Sequence, residues 1–203
     1  NYAKNLKASG DKRQALMVLQ NSFSMNSSDP EIAGELGRLA LEFDQLSLAS
    51  RALTVADVAE NTDWRVVSAR GTVLAKQGQH KAAIPYFERA LTMSPNQPSV
   101  LNNLAMANAM SGNPQKAEQI LRDLAQLNGA PAKVSQNLAL VLGLQGKYDE
   151  SKAAGAAVAS NEVAAANTDY IRQLVQLQPA HTPAAAPSST TAVAQATPAL
   201  KPA

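Results

Sequence analysis

One spacing constrains this chain more than its composition does: residues no larger than serine recur at intervals of 34 along three separate columns. The first column runs Gly10, Asp44, Gly78, Gly112 and Gly146, the second Ala15, Ala49, Ala83, Ala117 and Ser151, the third Ala3, Gly37, Gly71, Ala105 and Ala139. Asp44 alone departs from the set of Gly, Ala and Ser. Small residues at a fixed interval mark places where helices approach too closely for a longer side chain, or where the backbone turns through a left-handed conformation that glycine adopts without strain. A chain with such a register stacks one unit on the next and shares a continuous core along the stack.

The stretch from Asp63 to Gln97 shows one unit in full. With Trp64 at position 1, Gly71 takes position 8, Gly78 position 15, Ala83 position 20, Phe87 position 24 and Pro95 position 32, with Leu74 as a further bulky residue. This pattern resembles the tetratricopeptide repeat (TPR), a unit of ~34 residues built from two antiparallel helices, A and B. The resemblance implies an all-α superhelical solenoid of about five helix pairs, at residues 1–29, 30–63, 64–97, 98–131 and 132–160, with a capping helix at 161–177. Positions 8 and 20 are expected where helices A and B cross, and position 15 in the turn that ends helix A.

Local signals fill in the frame. Unit two opens at Asp29-Pro30-Glu31, a cap followed by a first-turn proline, so helix A is expected over 30–42 and helix B over 46–60. Unit four opens at Pro98, and its second helix at a capping Asn113 followed by Pro114. Unit five begins at Pro131 and loses pattern in its second helix, where Ser151 and Gly155 take positions 20 and 24. A last amphipathic stretch after an Asn161 cap carries Val163, Ala166, Tyr170, Leu174 and Leu177 at helical spacing. It reads as a terminal helix whose apolar stripe covers the open end of the stack. From residue 178 onward the chain turns to alanine and proline, fourteen of the last twenty-five residues, and reads as a disordered tail or linker.

Composition narrows the chemistry. A formal charge of +2 implies no strong attraction to nucleic acid. Residues 30–63 hold seven acidic and two basic side chains, and residues 64–97 five basic and one acidic. Such patches are ordinarily solvated faces, with a partner-binding role as the alternative. There is no cysteine, hence no disulfide or thiol nucleophile, and no apolar run of about 18 residues to span a membrane. The two histidines are far apart, His80 opening a helix B as a surface turn residue and His181 in the tail. Glu31 with Glu35, and Asp149 with Glu150, read as helix-start acids that suit the helix dipole. No glycine-rich loop follows a strand. These features point away from catalysis and from any cofactor or metal, and Trp64 reads as an interhelix packing residue, with a partner hot spot as the lesser alternative.

Binding is where the architecture leads. Stacked helix pairs form a concave groove lined by A helices, and positions 2, 5, 6, 9 and 13 of each unit should face it. Units two and three supply Arg38, Glu42, Arg65, Thr72 and Lys76. Unit four supplies Asn102, Asn103, Met106 and Met110, and unit five Lys133, Gln136, Asn137, Leu140 and Leu144. Asn103 and Asn137 share position 6, where a carboxamide can pair with an extended peptide backbone or else bridge neighbouring repeats. The Lys and Asn positions of a TPR carboxylate clamp are missing: position 5 holds Ser68, Asn102 and Gln136, and position 9 Thr72, Met106 and Leu140. A C-terminal acidic peptide is therefore disfavoured, and the Met and Leu content suggests an adaptable apolar floor for a helix or strand of a protein partner.

Several segments carry a narrower resemblance. DWRVVSARGTVLAKQGQHKAAIPYFERAL, PSVLNNLAMANAMSGNPQKAEQILR, VSQNLALVLGLQGKYDES and NEVAAANTDYIRQLV look like the TadD-type TPR protein of bacterial tight-adherence (Tad, Flp pilus) systems, over roughly residues 1–177. The resemblance implies a lipoprotein on the periplasmic side of the outer membrane that assists assembly of a pilus secretin, with the secretin or other pilus subunits as partners and a lipid anchor as its membrane contact. The lipobox cysteine that such anchoring needs is not among residues 1–203, and Asn1 already lies in what reads as a helix A, so a leader or anchor is expected upstream. A general TPR adaptor of another envelope complex, or the regulatory TPR part of a larger enzyme, are the alternatives.

Overall fold

The computed structural model describes residues 2–177 apart from 59 and 128, and among them the only regular secondary structure is α-helix. Eleven helices follow one another: α1 Tyr2–Ala8, α2 Lys12–Met25, α3 Pro30–Glu42, α4 Leu46–Ala56, α5 Trp64–Lys76, α6 His80–Met93, α7 Pro98–Met110, α8 Pro114–Ala125, α9 Ala132–Leu144, α10 Tyr148–Ala156 and α11 Asn161–Leu177. Each packs on its neighbours in sequence, and α3, α5, α7, α9 and α11 also touch in succession along one side. That is the contact pattern of a TPR solenoid, with the odd-numbered helices as helices A. The expected tail, with His181, lies outside the described residues.

The turns explain why the repeats stay in register. Gly10, Gly78, Gly112 and Gly146 adopt φ of 88°, 78°, 93° and 77°, and Asp44 takes the same left-handed conformation at 57°. At four of these turns the amide three residues past helix A bonds back across it: Gln45 to Ala40 O, Gln79 to Leu74 O, Asn113 to Asn108 O and Lys147 to Leu142 O, at 2.9 to 3.0 Å. This closure satisfies carbonyls that the helix end leaves free and aims helix B back along helix A. Asp44 stands where glycine would serve because aspartate tolerates the left-handed region better than most residues, and its carboxylate meets Lys76 Nζ at 2.8 Å in the next unit.

Packing follows the columns. Ala15, Ala49, Ala83 and Ala117 are fully buried and Ser151 is 1 % exposed. At position 8 the close approach is to position 24 of the same unit: a Cβ on Gly37 would lie 2.5 Å from Leu53 Cγ, and one on Gly71 would lie 2.8 Å from Phe87 Cε1. Phe87 is fully buried, which such a large side chain achieves here because position 8 carries none. The core runs in three joined stretches, from α2 to α5, across α5 to α7, and from α7 to α9. Trp64 packs partly buried on the middle stretch, with the Arg65 guanidinium 5.1 Å over its ring, as a packing residue would.

Four expectations about helix ends and faces need correction. Helix B of unit two stops at Ala56 rather than at residue 60. The chain leaves the helix so that Asp57, whose side chain is 4 % exposed, can hold Arg70 and Arg89 of the next unit. Asn113 precedes α8 but makes no side-chain cap, and α11 is capped by Ser160, whose Oγ accepts from Val163 N at 3.3 Å, with Asn161 inside the helix. The buried stripe of α11 is Ala164, Thr168 and Ile171, while Val163, Tyr170, Leu174 and Leu177 are exposed. The reason is Gly155: with no side chain at position 24 of unit five, Ala164 can settle against it, and Ile171 drops beside Gly143, which turns the helix away from the expected stripe.

Candidate partner-binding groove

The A helices place their polar and flexible side chains on the concave side because positions 1, 4, 8 and 11 face the core at helical spacing and leave 2, 6, 9 and 13 on the opposite flank. Over units three to five this produces an open groove of about 390 Å³. It collects Thr72 and Lys76 from α5, Asn102, Asn103, Met106 and Met110 from α7, and Lys133 and Asn137 from α9. Sequence reasoning overlooked His80, Ala75, Ala107 and the edge of Phe87, which also line it. His80 lies there because the turn closed by Gly78 brings the first residue of α6 back to the end of α5, a signal present in the repeat register itself.

The carboxamides at the groove floor tie the repeats together. Asn137 Nδ2 donates to Asn102 Oδ1 at 2.8 Å, and Asn103 Nδ2 donates to Thr72 Oγ1 at 3.4 Å. Each bond crosses from one A helix to the preceding one, so the bridging role is real. Asn102 is 6 % exposed and acts inside the wall, whereas Asn103 and Asn137 are half-buried and line the groove with their Nδ2 atoms engaged. Beside them Met106 is half-buried and Met110 is 46 % exposed.

The remaining candidates fall elsewhere. Arg38 lines a separate cavity of about 320 Å³ at units two and three, where it pairs with Glu35. Its Nε there, and Asn61 Nδ2 in the same lining, are buried without a partner. Gln136 and Leu140 line a third cavity, of about 330 Å³, between α9 and the last two helices. Arg65 is exposed and turned to Asp63 at 3.6 Å, Glu42 holds Lys12 at 2.6 Å, and Leu144 is 39 % exposed. None of these three lines the groove of units three to five, because the superhelix displaces equivalent positions by one helix width per repeat.

Much of the charge seen in the sequence is used between repeats. Lys4 meets Glu31, Lys12 meets Glu42, Lys76 meets Asp44, Lys116 meets Glu88 and Lys147 meets Glu118, at 2.6 to 3.3 Å. The acidic run of unit two and the basic run of unit three thus face each other in part. Glu35 sits mid-helix rather than at a helix start: burial would raise its carboxyl, but bonds from Lys7 and Arg38 outweigh that and lower it. Asp57 behaves alike, its burial overridden by bonds from Arg89 and Arg70, which also flank the Tyr86 ring at 5.5 and 4.8 Å. Lys147 holds the Glu118 carboxyl down to about 2, helped against burial by Gln145 and Arg122. Arg122 is itself raised by its bonds to Glu118 and Glu150. Among the described residues no group of three His, Cys, Asp or Glu side chains is placed to hold a metal ion, and no helix is long and apolar enough to cross a membrane.

Known proteins share this geometry. The tetratricopeptide repeat family signature matches residues 74–136, from the end of α5 into α9. No curated protein sequence matches the chain. Among solved structures, YrrB, described as a TPR protein with an unusual peptide-binding site, superposes with a TM-score of 0.69 at 18 % identity, covering 84 % of this chain and 89 % of its own. MamA from Desulfovibrio magneticus RS-1 does so at 0.62 and 18 % identity, covering 86 % and 93 %. A thermophilic TPR protein of Thermus thermophilus does so at 0.60 and 18 %, covering 87 % and 96 %. By fold the chain is a tetratricopeptide-repeat solenoid, and its middle third carries the repeat's family signature.

Proposed function

We propose that the chain is a non-catalytic interaction scaffold that receives a segment of a partner protein along the groove of units three to five. The observation that carries this reading is the convergence of positions 2, 6, 9 and 13 from three successive A helices on one open cavity lined by methionines and carboxamides. Extended segments bind such surfaces through backbone hydrogen bonds and shallow apolar pockets. The peptide-binding site named for YrrB supports the same use of a similar fold here. Replacing Asn103, Met106 and Asn137 together by alanine, with the helical melt unchanged, should weaken partner capture at least tenfold; undiminished capture would sink the groove as the binding face.

The finer reading is assistance to assembly of a Tad/Flp-type pilus machine, pilotin-like towards an outer-membrane secretin, from the periplasmic side of the outer membrane. It is supported by the resemblance of the segments quoted above, and the fold suits an assembly factor. Intact mass and fractionation of the native protein test it. An acylated N-terminal cysteine in the outer-membrane fraction supports the reading, because two or more acyl chains give stable anchoring. Unmodified protein in the cytosol overturns it and leaves the scaffold standing.

A further inference from the structure

We propose that the groove of units three to five selects an internal, extended partner segment that carries carboxylates on both sides of an apolar residue. The inference rests on the groove reading above and adds the chemistry of the ligand. Among the described residues, every ionisable side chain that lines this groove is basic: Lys76, His80 and Lys133. No carboxylate lines it. Lys133 has no ion-pair partner among the described residues, in contrast to Lys4, Lys12, Lys116 and Lys147, which are held by neighbouring repeats. Lys76 shares Asp44 at 2.8 Å, but the two side chains are 47 % and 70 % exposed, so the ammonium keeps donors for a second carboxylate.

The same concave register turns acidic one repeat earlier. The cavity at units two and three is lined by Glu31, Glu35, Glu60 and Asp63 against Arg38 as its one basic residue. Glu31, Glu35 and Arg38 occupy positions 2, 6 and 9, the positions that Lys133, Asn137 and Met106 occupy in the later units. An acidic segment is therefore drawn to units three to five and repelled from unit two, which fixes where along the superhelix it lies.

Spacing sets the pattern within the segment. Helix axes packed about 9 Å apart put α5 and α9, with α7 between them, about 18 Å from one another, and Lys76 at the end of α5 and Lys133 at the start of α9 are offset along the axes by about 16 Å. Some seven extended residues cover the resulting diagonal of about 24 Å at ~3.3 Å each. Carboxylates about seven residues apart can thus reach Lys76 and Lys133 while an apolar side chain between them rests on Met106 and Met110. Backbone N–H groups of the segment meet the Oδ1 atoms of Asn103 and Asn137. An internal segment fits better than a chain end, because positions 5 and 9 of these units, Ser68, Asn102, Gln136, Thr72, Met106 and Leu140, supply no cation to hold a terminal carboxylate.

The test is selection of a displayed library of random twelve-residue peptides on the immobilised full chain, followed by fluorescence anisotropy with the selected peptides made as C-terminal amides. The expected result is enrichment of Asp and Glu around an apolar residue, with affinity falling about tenfold in Lys76→Gln/Lys133→Gln and falling again with added salt. A selected pool without acidic enrichment, or amides that bind the double lysine variant as tightly as the wild type, overturns the proposal. In that case, loss of binding in Met106→Ala/Met110→Ala leaves the groove reading intact. Binding that survives both double variants, or a library that yields no binder, sinks the groove reading as well.

Discussion

Gly71 and Phe87 reduce the packing rule of this solenoid to one steric pair. A Cβ at Gly71 would meet the Phe87 ring at 2.8 to 3.1 Å, and the ring is fully buried and cannot swing aside. Alanine in a helix interior gains roughly 0.5–1 kcal/mol over glycine, whereas overpacking a core costs roughly 1–3 kcal/mol. The clash wins, so Gly71→Ala should destabilise the chain by about 1–2 kcal/mol. Unit four shows the remedy, since it pairs Ala105 at position 8 with Leu121 at position 24, both fully buried. Gly71→Ala combined with Phe87→Leu reproduces that pair, and a double-mutant cycle by urea denaturation should give a favourable coupling of about 1 kcal/mol. Additive losses would mean that position 8 is small for another reason. Gly78 gives the contrasting case, because nothing lies within 4 Å of its Cβ direction and its φ is 78°. Gly78→Ala should cost about 1 kcal/mol through backbone strain alone, and no second-site core change should recover it.

At the scale of a helix, α11 separates what a stripe of apolar residues can and cannot tell. Ile171 is 9 % exposed beside Gly143, and Leu177 is 79 % exposed. Truncating a buried isoleucine costs roughly 2–5 kcal/mol and an exposed leucine little. Ile171→Ala should therefore lower the stability of unit five by about 2–3 kcal/mol while Leu177→Ala changes it by less than about 0.5 kcal/mol, measured by chemical denaturation. Equal effects would restore the expected stripe. The A helices and turns of units two to five were legible because Asp29, Asp63 and the glycines of the turns act locally, through hydrogen bonds within a few residues. The end of α4 and the rotation of α11 were not, because each is decided by a residue outside the helix itself: Arg89 for Asp57, and Gly155 for Ala164. Heptad-like spacing in α11 offers two overlapping faces, and the choice between them is made by the shape of its neighbour.

Across the whole molecule, each repeat is held to the next by a shared stretch of core and by ion pairs that cross the boundary, so stability should be set by nearest neighbours. The groove was legible in part for the same reason. Positions 9 and 13 of α5, positions 6, 9 and 13 of α7 and positions 2 and 6 of α9 meet in it, whereas Arg65 at position 2 of α5 and Leu140 and Leu144 at positions 9 and 13 of α9 lie outside, because the superhelical displacement between units is not encoded in any one of them. The boundary between units four and five offers the sharpest test of nearest-neighbour behaviour. Glu118 accepts from Lys147 at 2.7 Å and Gln145 at 2.9 Å and pairs with Arg122, and its carboxyl is lowered from 4.5 to about 2. A depressed carboxyl contributes stability that is complete above its unfolded value and disappears as pH falls through its folded value. The contribution should hold above pH 4.5 and vanish between pH 4.5 and 2. With Lys147 and Arg122 40 % and 41 % exposed, solvent screening limits it to on the order of 1 kcal/mol. Glu118→Gln should therefore be less stable than the wild type at neutral pH, and the difference should shrink as pH falls from 4.5 through 2 and close below it, where the wild-type carboxyl is protonated. Hydrogen exchange at neutral pH should show the loss in α8, α9 and α10 and leave α3 and α4 protected as before. Loss of protection spread evenly from α3 to α10 would instead mean that the stack opens as one cooperative unit, and the repeat-by-repeat account of its stability would fail.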